Sequence, residues 1–245
     1  MIATAEGEQM RAVVIVAHPD DETFGVGGTI IKLTDAGHSV KIVYMTSGGK
    51  GGEIAADELT AIREGEARDA AKVLGVSDEN LTFLGYPDRE LRYFGREAVP
   101  QLAEIVAEER PHVVYMHHHS DHHEDHLAAH RFSWEAIGDV VGSFNTKRGP
   151  SGPWRVPWQL GFEVSIESTL GWKDVNQTED ITAVRQRKGD AIAKYRTQMG
   201  KPISHDTLVP AINIHRGERN LGAGGFAEGF IVYKAPSILT RFLPQ

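Results

Sequence analysis

Four apolar, β-branched runs alternate with helix-like segments over the first half of the chain, and this alternation constrains the fold more than any other feature. The runs AVVIVA, VKIVYM, LTFLGY and HVVYMH begin at residues 12, 40, 81 and 112. Helical spacing follows at 25–37, at about 57–74 and at 98–109. Strands that alternate with helices are joined by right-handed crossovers into a parallel sheet. We therefore expect an α/β fold with a mostly parallel sheet flanked by helices.

The second half of the chain carries weaker patterns. LGFEVSI at 160–166 and GFIVYK at 229–234 predict two more strands, and 180–198 predicts a helix capped by Asp180. The segment 142–158 is rich in Gly, Pro and Trp without a clear period, which predicts a long surface loop or lid. Because no linker interrupts the chain, we expect a flexible N-terminus at 1–10 and a single domain at 11–245.

Charge and cysteine content exclude several classes of protein. The net charge of −8 has the wrong sign for binding nucleic acid or anionic lipid surfaces. With no cysteine, a disulfide framework, a thiolate zinc site and a cysteine nucleophile are excluded, so any metal must be held by nitrogen and oxygen. The first ten residues lack a secretory apolar region, and no apolar run is long enough to span a bilayer. We expect a soluble, cytoplasmic protein.

The motif AHPDDE follows directly after the first predicted strand, at residues 17–22. Open α/β sheets bind their ligands at the carboxyl ends of strands, which is where this histidine and these carboxylates lie. His18 and Asp21 are suitable zinc ligands, and Pro19 restrains the turn between them. Asp20 then faces another direction, so that one carboxylate can bind metal while its neighbour handles protons. Alternatively, these acids are solvated or cap the next helix.

A histidine cluster follows the fourth predicted strand, where MHHHSDHHEDHLAAH holds seven of the twelve histidines. Two frames of the form H-x-D-H fit a metal ligand, His119 to His122 and His123 to His126. The second frame is favoured because Asp125 can cap, and His126 can open, the helix predicted by LAAHRFSWEAI. With His126 as third ligand, the predicted site keeps an open coordination position, as catalytic zinc sites do.

These motifs resemble the LmbE-like (PIG-L) family of zinc-dependent N-deacetylases. The resemblance rests on AHPDDE at 17–22, TSGG at 46–49 and SDHHEDH at 120–126, in the order and spacing of that family. Supporting stretches are AIREGEARDAAKVLGV at 61–76, LGYPD at 84–88 and a C-terminal part that ends in AEGFIVYK. The chain departs from the family at Lys50, where relatives often carry an acid. The resemblance implies a Rossmann-like sheet and one LmbE-like deacetylase domain over 11–245.

The resemblance also implies a role for each site residue. His18, Asp21 and His126 would bind Zn²⁺, or another divalent transition metal such as iron, manganese or cobalt, and Asp20 would be the general base. A second set would act around them. It comprises His123 as the electrostatic or acid partner of the tetrahedral intermediate, Asp125 as the group that holds an imidazole, and Arg63 and Asp88 as contacts to sugar hydroxyls.

The predicted function is hydrolysis of an N-acetyl or other N-acyl group on an amino sugar such as N-acetylglucosamine or a conjugate of it. The expected partner is that small molecule, not nucleic acid or a membrane, and assembly of several copies is left open. Two alternatives are a zinc amidase that cleaves another amide of an amino-sugar conjugate, and a non-enzymatic protein that stores metal on its histidines. A nucleotide- or methyl-donor-binding protein is disfavoured, because HPDDE stands where a glycine-rich turn is required.

Overall fold

Strands and helices alternate along the residues that the computed structural model describes, which are 9–50, 55–140, 154–164, 174–199 and 205–235. The strands are β1 (Arg11–Val16), β2 (Ser39–Thr46), β3 (Leu81–Tyr86), β4 (Val113–His117), β5 (Trp158–Phe162), β6 (Gln177–Asp180) and β7 (Ala227–Lys234). The helices are α1 (Asp21–Asp35), α2 (Ala56–Leu74), α3 (Gly95–Glu109), α4 (Glu124–Val140), α5 (Arg185–Ile192) and α6 (His205–Leu221). Met10 is 1% exposed and packs in the core, so the described fold begins before the predicted boundary at residue 11.

The strands form one sheet in the order β3-β2-β1-β4-β5-β7-β6. Strands β1 to β5 run parallel to one another, whereas β7 runs antiparallel to both β5 and β6. The predicted α/β class with a mostly parallel sheet is therefore confirmed, and β7 is the strand that makes the sheet mixed. Because β1 and β4 are adjacent and parallel, their carboxyl ends lie at the same edge of the sheet.

Helices cover both faces of the sheet. On one face α1, α2, α5 and α6 pack in a core that includes Val14, Ile30 and Leu74. On the other face α3 and α4 pack in a second core that includes Ile15 and Phe132. This double coverage explains why the first strands are continuous apolar runs. None of the described helices combines the length and the apolar composition needed to cross a membrane.

Two glycines of the GVGGT segment allow α1 to approach its neighbours closely. A Cβ atom at Gly25 would lie 2.3 Å from the Phe162 ring, and one at Gly28 would lie 2.5 Å from the Ile181 side chain. Both distances are shorter than packed carbon atoms allow. The segment therefore serves close packing of α1, and its spacing does not match the phosphate-binding glycine motifs.

The chain after residue 164 differs from the sequence prediction. The single helix expected over 180–198 is instead the end of β6, a 3-10 turn at Thr182–Val184, helix α5 and a 3-10 turn at Arg196–Gln198. Ile181, not Asp180, is the N-cap residue of the first turn, although Oδ1 of Asp180 accepts the Thr182 N–H at 2.9 Å. The sequence patterns indicate neither β6, which reads QTED, nor α6, which contains Pro210. Of the loop expected at 142–158, only residues 154–158 lie within the described part of the chain.

A buried ion pair joins α5 to β7. The Lys188 ammonium donates to Glu228 Oε1 at 2.7 Å, and both side chains are almost fully buried. Glu228 also accepts from the Gly28 N–H at 2.7 Å and from the Thr29 N–H at 2.8 Å at the centre of α1. The pair thus ties α5 and α1, which cover one face of the sheet, to strand β7.

Removing one partner of this pair should destabilise the fold strongly. We expect Lys188→Met to lower the free energy of unfolding by about 3–5 kcal/mol, because it leaves the Glu228 charge buried without its cation. Urea denaturation measures the loss, and Lys72→Met, which removes an exposed pair with Asp69, is the control. Adding Glu228→Gln should recover part of the loss. A Lys188→Met variant as stable as the wild type would contradict this account.

Candidate metal centre

The candidate site lies where β1 and β4 end. After β1 the chain passes through His18 and Asp20 into α1, which begins at Asp21. After β4, which ends at His117, the chain leads into α4, whose first turn contains His126. The adjacency of the two strands therefore brings His18 and His126 together, although they are 108 residues apart in the sequence.

Three side chains converge at this edge of the sheet. Nδ1 of His18 lies 3.3 Å from Oδ2 of Asp21 and 3.3 Å from Nε2 of His126. Nε2 of His126 lies 3.4 Å from Oδ1 of Asp21. Ligand atoms about 2.0–2.1 Å from a tetrahedral zinc ion lie about 3.3–3.4 Å from one another. Each pair among the predicted ligands His18, Asp21 and His126 therefore has a spacing near that value, with one Asp21 oxygen facing each imidazole.

Hydrogen bonds on the outer side of each ring determine which nitrogen faces the site. Oδ2 of Asp121 lies 2.9 Å from Nδ1 of His126, so in the neutral ring this nitrogen carries the proton and Nε2 presents a lone pair. Nε2 of His18 lies 3.2 Å from Oδ2 of Asp125 and 3.3 Å from Oδ1 of Asp88, which leaves Nδ1 bare. In the neutral rings, the lone pairs of His18 Nδ1 and His126 Nε2 both face the Asp21 carboxylate. These electron-rich groups repel one another unless a cation lies between them.

The charges at the site also favour a cation. Five carboxylates are buried here, and Arg63 is buried beside them. Burial opposes protonation of His126, yet Asp21 and Asp121 outweigh it and raise the pKa of His126 to about 9. Burial also opposes protonation of His18, but hydrogen bonds to nearby carboxylates hold its pKa well above the usual value. A divalent cation would satisfy the same field. The five carboxylates are Asp20, Asp21, Asp88, Asp121 and Asp125.

His117, at the end of β4, offers a competing set of ligands with Asp21 and His126. However, Nε2 of His117 accepts the Ala17 N–H at 3.0 Å, so its lone pair is already used. The ring stacks on that of His126, with 4.1 Å between the ring centroids. Burial, followed by the charge of His126, lowers the pKa of His117 to about 4. His117 is therefore better suited to support the His126 ring by stacking than to bind a metal ion.

Asp88 and Asp125 form another competing set with His18. Both oxygens of Asp125 are occupied, because Oδ2 accepts the Arg89 N–H at 2.6 Å and Oδ1 accepts the Leu91 N–H at 3.1 Å. Asp125 contacts the His18 imidazole at 3.2 Å, and the role of holding an imidazole that the resemblance implies for it stays a proposal. It does not cap α4 as expected, because α4 begins one residue earlier and the Asp125 carboxylate points to the 89–91 turn.

His123 lies against both imidazoles of the predicted ligand set. Its ring centroid is 4.8 Å from that of His18 and 4.6 Å from that of His126. Nδ1 of His123 accepts the Asp125 N–H at 3.2 Å, so the proton of the neutral ring is on Nε2. Burial, with added repulsion from His126 and His18, lowers the pKa of His123 and keeps the ring neutral. A neutral ring with an Nε2–H group suits a hydrogen-bond donor better than a metal ligand.

Asp20 adjoins the ligand set in a strained backbone conformation, with φ of 130° and ψ of −32°. This region favours glycine, and such strain persists only where the surroundings enforce it. Oδ2 of Asp20 accepts a hydrogen bond from the Arg63 guanidinium at 2.8 Å. Burial raises the pKa of Asp20 to about 7, although Arg63 acts in the opposite direction. A carboxylate with such a pKa suits a general base near neutral pH.

Arg63 and Asp88 both lie at the site and contact residues of this chain. Besides Asp20, Arg63 donates to the Pro19 carbonyl at 3.0 Å and to the Gly48 carbonyl at 2.8 Å, and it is 6% exposed. Asp88 contacts Nε2 of His18 and accepts the Lys50 N–H at 3.2 Å. Their role toward sugar hydroxyls stays a proposal.

Of the histidines between His117 and His130, His119 and His130 have partners outside the predicted ligand set. His119 contacts the Tyr233 hydroxyl at 3.0 Å through Nδ1, and Nδ1 of His130 lies 2.8 Å from the His117 carbonyl. Only His126 of this run joins the predicted ligand set. Two contributors were not identified from the sequence, His117 and the carboxylate that orients His126. That carboxylate is Asp121, which is the aspartate of the first H-x-D-H frame. This frame is the sequence feature from which Asp121 could have been identified.

Comparison with known proteins links this site to deacetylases. The PIG-L family, described as GlcNAc-PI de-N-acetylase, matches residues 13–137, just over half of the 245 residues. Diacetylchitobiose deacetylase of Thermococcus kodakarensis is 38% identical over 109 residues, which cover 43% of this chain and 40% of that protein. The chain thus spans less than half the length of this relative.

Two further proteins are similar over most of their length. A Saccharomonospora viridis protein is 31% identical over 225 residues, 75% of this chain and 83% of that protein. It is named 1D-myo-inositol 2-acetamido-2-deoxy-alpha-D-glucopyranoside deacetylase. The solved structure of N,N'-diacetylchitobiose deacetylase from Pyrococcus horikoshii is 28% identical with a TM-score of 0.76, covering 97% of this chain and 88% of that one. Together these similarities identify the chain as a member of the PIG-L, or LmbE-like, family.

Proposed function

We propose that this protein is a metal-dependent hydrolase that removes the N-acetyl group from an amino sugar or an amino-sugar conjugate. The observation that carries the proposal is the convergence of one carboxylate and two imidazole lone pairs, from Asp21, His18 and His126, beside the strained Asp20. The relatives support it, because each is named as a deacetylase of an acetamido sugar compound.

Zinc is the proposed metal, held by His18, Asp21 and His126. All donors are nitrogen or oxygen, which also suit iron, manganese and cobalt, so metal analysis has to decide among them. A divalent ion in this site would supply Lewis acidity and would lower the pKa of water toward neutrality.

Three residues of the chain would carry out the proton transfer, positioning and hydrogen bonding of the reaction. Asp20 accepts a proton from the attacking water, since its raised pKa balances base strength against ionisation at neutral pH. Arg63 holds the Asp20 carboxylate in position. His123 donates its Nε2–H to the carbonyl oxygen as negative charge develops there. Asp20 returns its proton to the amine nitrogen when the C–N bond breaks, so the proton balance closes.

The proposed substrate is a small molecule, and the net charge of −8 supports neither nucleic acid nor membrane as a partner. The direct test measures release of acetate and free amine from N-acetylglucosamine and N,N'-diacetylchitobiose, with and without a chelator. Activity that is lost on chelation and restored by zinc supports the proposal. An amino-sugar conjugate with a bulkier amide tests the amidase alternative, which requires that substrate to be the faster one. Several weakly bound metals without activity would favour metal storage instead.

Asp121 should determine how tightly the metal binds. We expect Asp121→Asn to weaken metal affinity about 10–100-fold, because the carboxylate fixes the His126 ring and raises its basicity. Competition with a chromophoric chelator measures the affinity. Asp190→Asn, on an exposed side chain of α5 that contacts Gln186, is the matched control and should bind metal as the wild type does. Equal affinities in the two variants would exclude this role.

A further inference from the structure

Glu22 is a fully buried carboxylate beneath the site that the proposed mechanism does not use. Its Oε1 accepts hydrogen bonds from the hydroxyls of Tyr195 and Thr23, each at 2.5 Å. Its Oε2 accepts the backbone N–H of Asp20 at 3.2 Å. Tyr195, just beyond α5, is also fully buried and packs edge-on against Phe24 at 5.9 Å between centroids. The carboxylate thus links a distant part of the chain to the backbone of Asp20.

The Asp20 backbone is restrained on both sides. On one side its N–H is bound by Glu22. On the other, its carbonyl accepts the Thr23 N–H at 3.1 Å and the Phe24 N–H at 3.0 Å, as the start of α1 requires. With its carbonyl committed to the helix, the Asp20 residue can relax from φ of 130° mainly by swinging its N–H away from Glu22. Such a rotation would turn the Pro19–Asp20 peptide, whose carbonyl oxygen accepts from Arg63 at 3.0 Å, and would so disturb the guanidinium that holds the Asp20 carboxylate at 2.8 Å.

We infer that Glu22, held by Tyr195, is a positioning residue that keeps Asp20 in its strained conformation and its carboxylate directed to the site. Glu22 suits this task because one oxygen takes both hydroxyls and leaves the other for the backbone N–H. A charged acceptor also binds that N–H more strongly than a neutral one. The inference rests on the proposed function in one respect, namely that Asp20 is the base.

The kinetic test uses Tyr195→Phe, which removes the hydroxyl that holds Glu22 and keeps the ring. We expect kcat to fall about tenfold to a hundredfold, as misplacement of a catalytic group by about 1 Å can cause, while KM and metal affinity stay unchanged. Tyr115→Phe is the matched control, because Tyr115 is a buried tyrosine of β4 that packs on Phe230. A Tyr195→Phe variant with wild-type kcat would overturn the inference, and so would an equal loss in the control.

A stability test decides the inference without any enzyme activity. Glu22→Gln is introduced into Asp20→Ala and Asp20→Gly backgrounds, which both lack the carboxylate but differ in the Cβ atom that makes φ of 130° unfavourable. We expect Glu22→Gln to lower Tm by a few degrees less in the alanine background, because there the loss of the restraint also releases the strain at φ of 130°, whereas glycine carries no such strain. Tyr195→Phe in the same two backgrounds is the second variant. Equal losses in both backgrounds would overturn the inference, whereas a wild type without deacetylase activity would count only against the proposed function.

Discussion

Asp21→Ala should lose both its bound metal and its hydrolytic activity. Asp21 faces both imidazoles of the proposed set, with Oδ2 at 3.3 Å from His18 and Oδ1 at 3.4 Å from His126. Its removal leaves two neutral nitrogen ligands and takes away the charge nearest to the metal. The loss of affinity should therefore exceed the roughly 10–100-fold expected for changes outside the ligand set. Elemental analysis after dialysis should find about one zinc per chain in the wild type and almost none in the variant.

The control is Asp69→Ala, which removes an exposed aspartate that pairs with Lys72 on α2. Its metal content and activity should equal those of the wild type. If Asp21→Ala retained stoichiometric metal, the ion would be held by the other imidazole group, His18, His123 and His126. The metal content of His123→Ala would then distinguish the two sets. It should equal that of the wild type if His18, Asp21 and His126 bind the metal, and it should fall if His123 is a ligand.

The central fold follows from local patterns that act directly on the backbone. Continuous apolar runs such as AVVIVA can be stable only as strands covered on both faces, and the parallel strands β1 to β4 occur where those runs predict them. The edge strand β6 has no such signal, because its QTED sequence is held by pairing with β7 and not by burial. Helix α6 carries Pro210, which weakens the helical signal although neighbours such as Val209 pack in the core.

The proposed ligand residues, which the structure brings together, could be selected from the sequence because metal coordination restricts residue type and spacing, as in AHPDDE and H-x-D-H. Their orientation could not, since it depends on contacts between distant segments. Asp125 contacts His18 across 107 residues, and Asp88 reaches the same nitrogen from the loop after β3. The contact of Arg63 with Asp20 could not be predicted either, because it joins α2 to the loop after β1. Spacing within one segment carries no information about such pairs.

Asp20→Asn should bind metal as tightly as the wild type and yet lose most of its turnover. Asparagine has the shape of aspartate and its oxygen can still accept the Arg63 hydrogen bond seen at 2.8 Å, so the ligand set should be undisturbed. The amide cannot accept a proton at neutral pH, however, and general-base catalysis contributes about 10²–10⁴-fold. We therefore expect kcat to fall by about that factor while KM changes little. Steady-state kinetics together with metal analysis on the same preparation measure both effects.

The pH dependence of the wild type provides an independent check on Asp20. Burial raises its pKa to about 7 against the opposing effect of Arg63, and the base must be ionised to act. Activity should therefore be full above that pKa and should decline as the pH falls through it, and a bound cation would shift this decline to lower pH. In Asp20→Asn the residual rate should lose this acidic limb. If the variant kept wild-type turnover, or the same acidic limb with reduced turnover, another group would be the base, and His123→Ala would be the next variant to examine for loss of that limb.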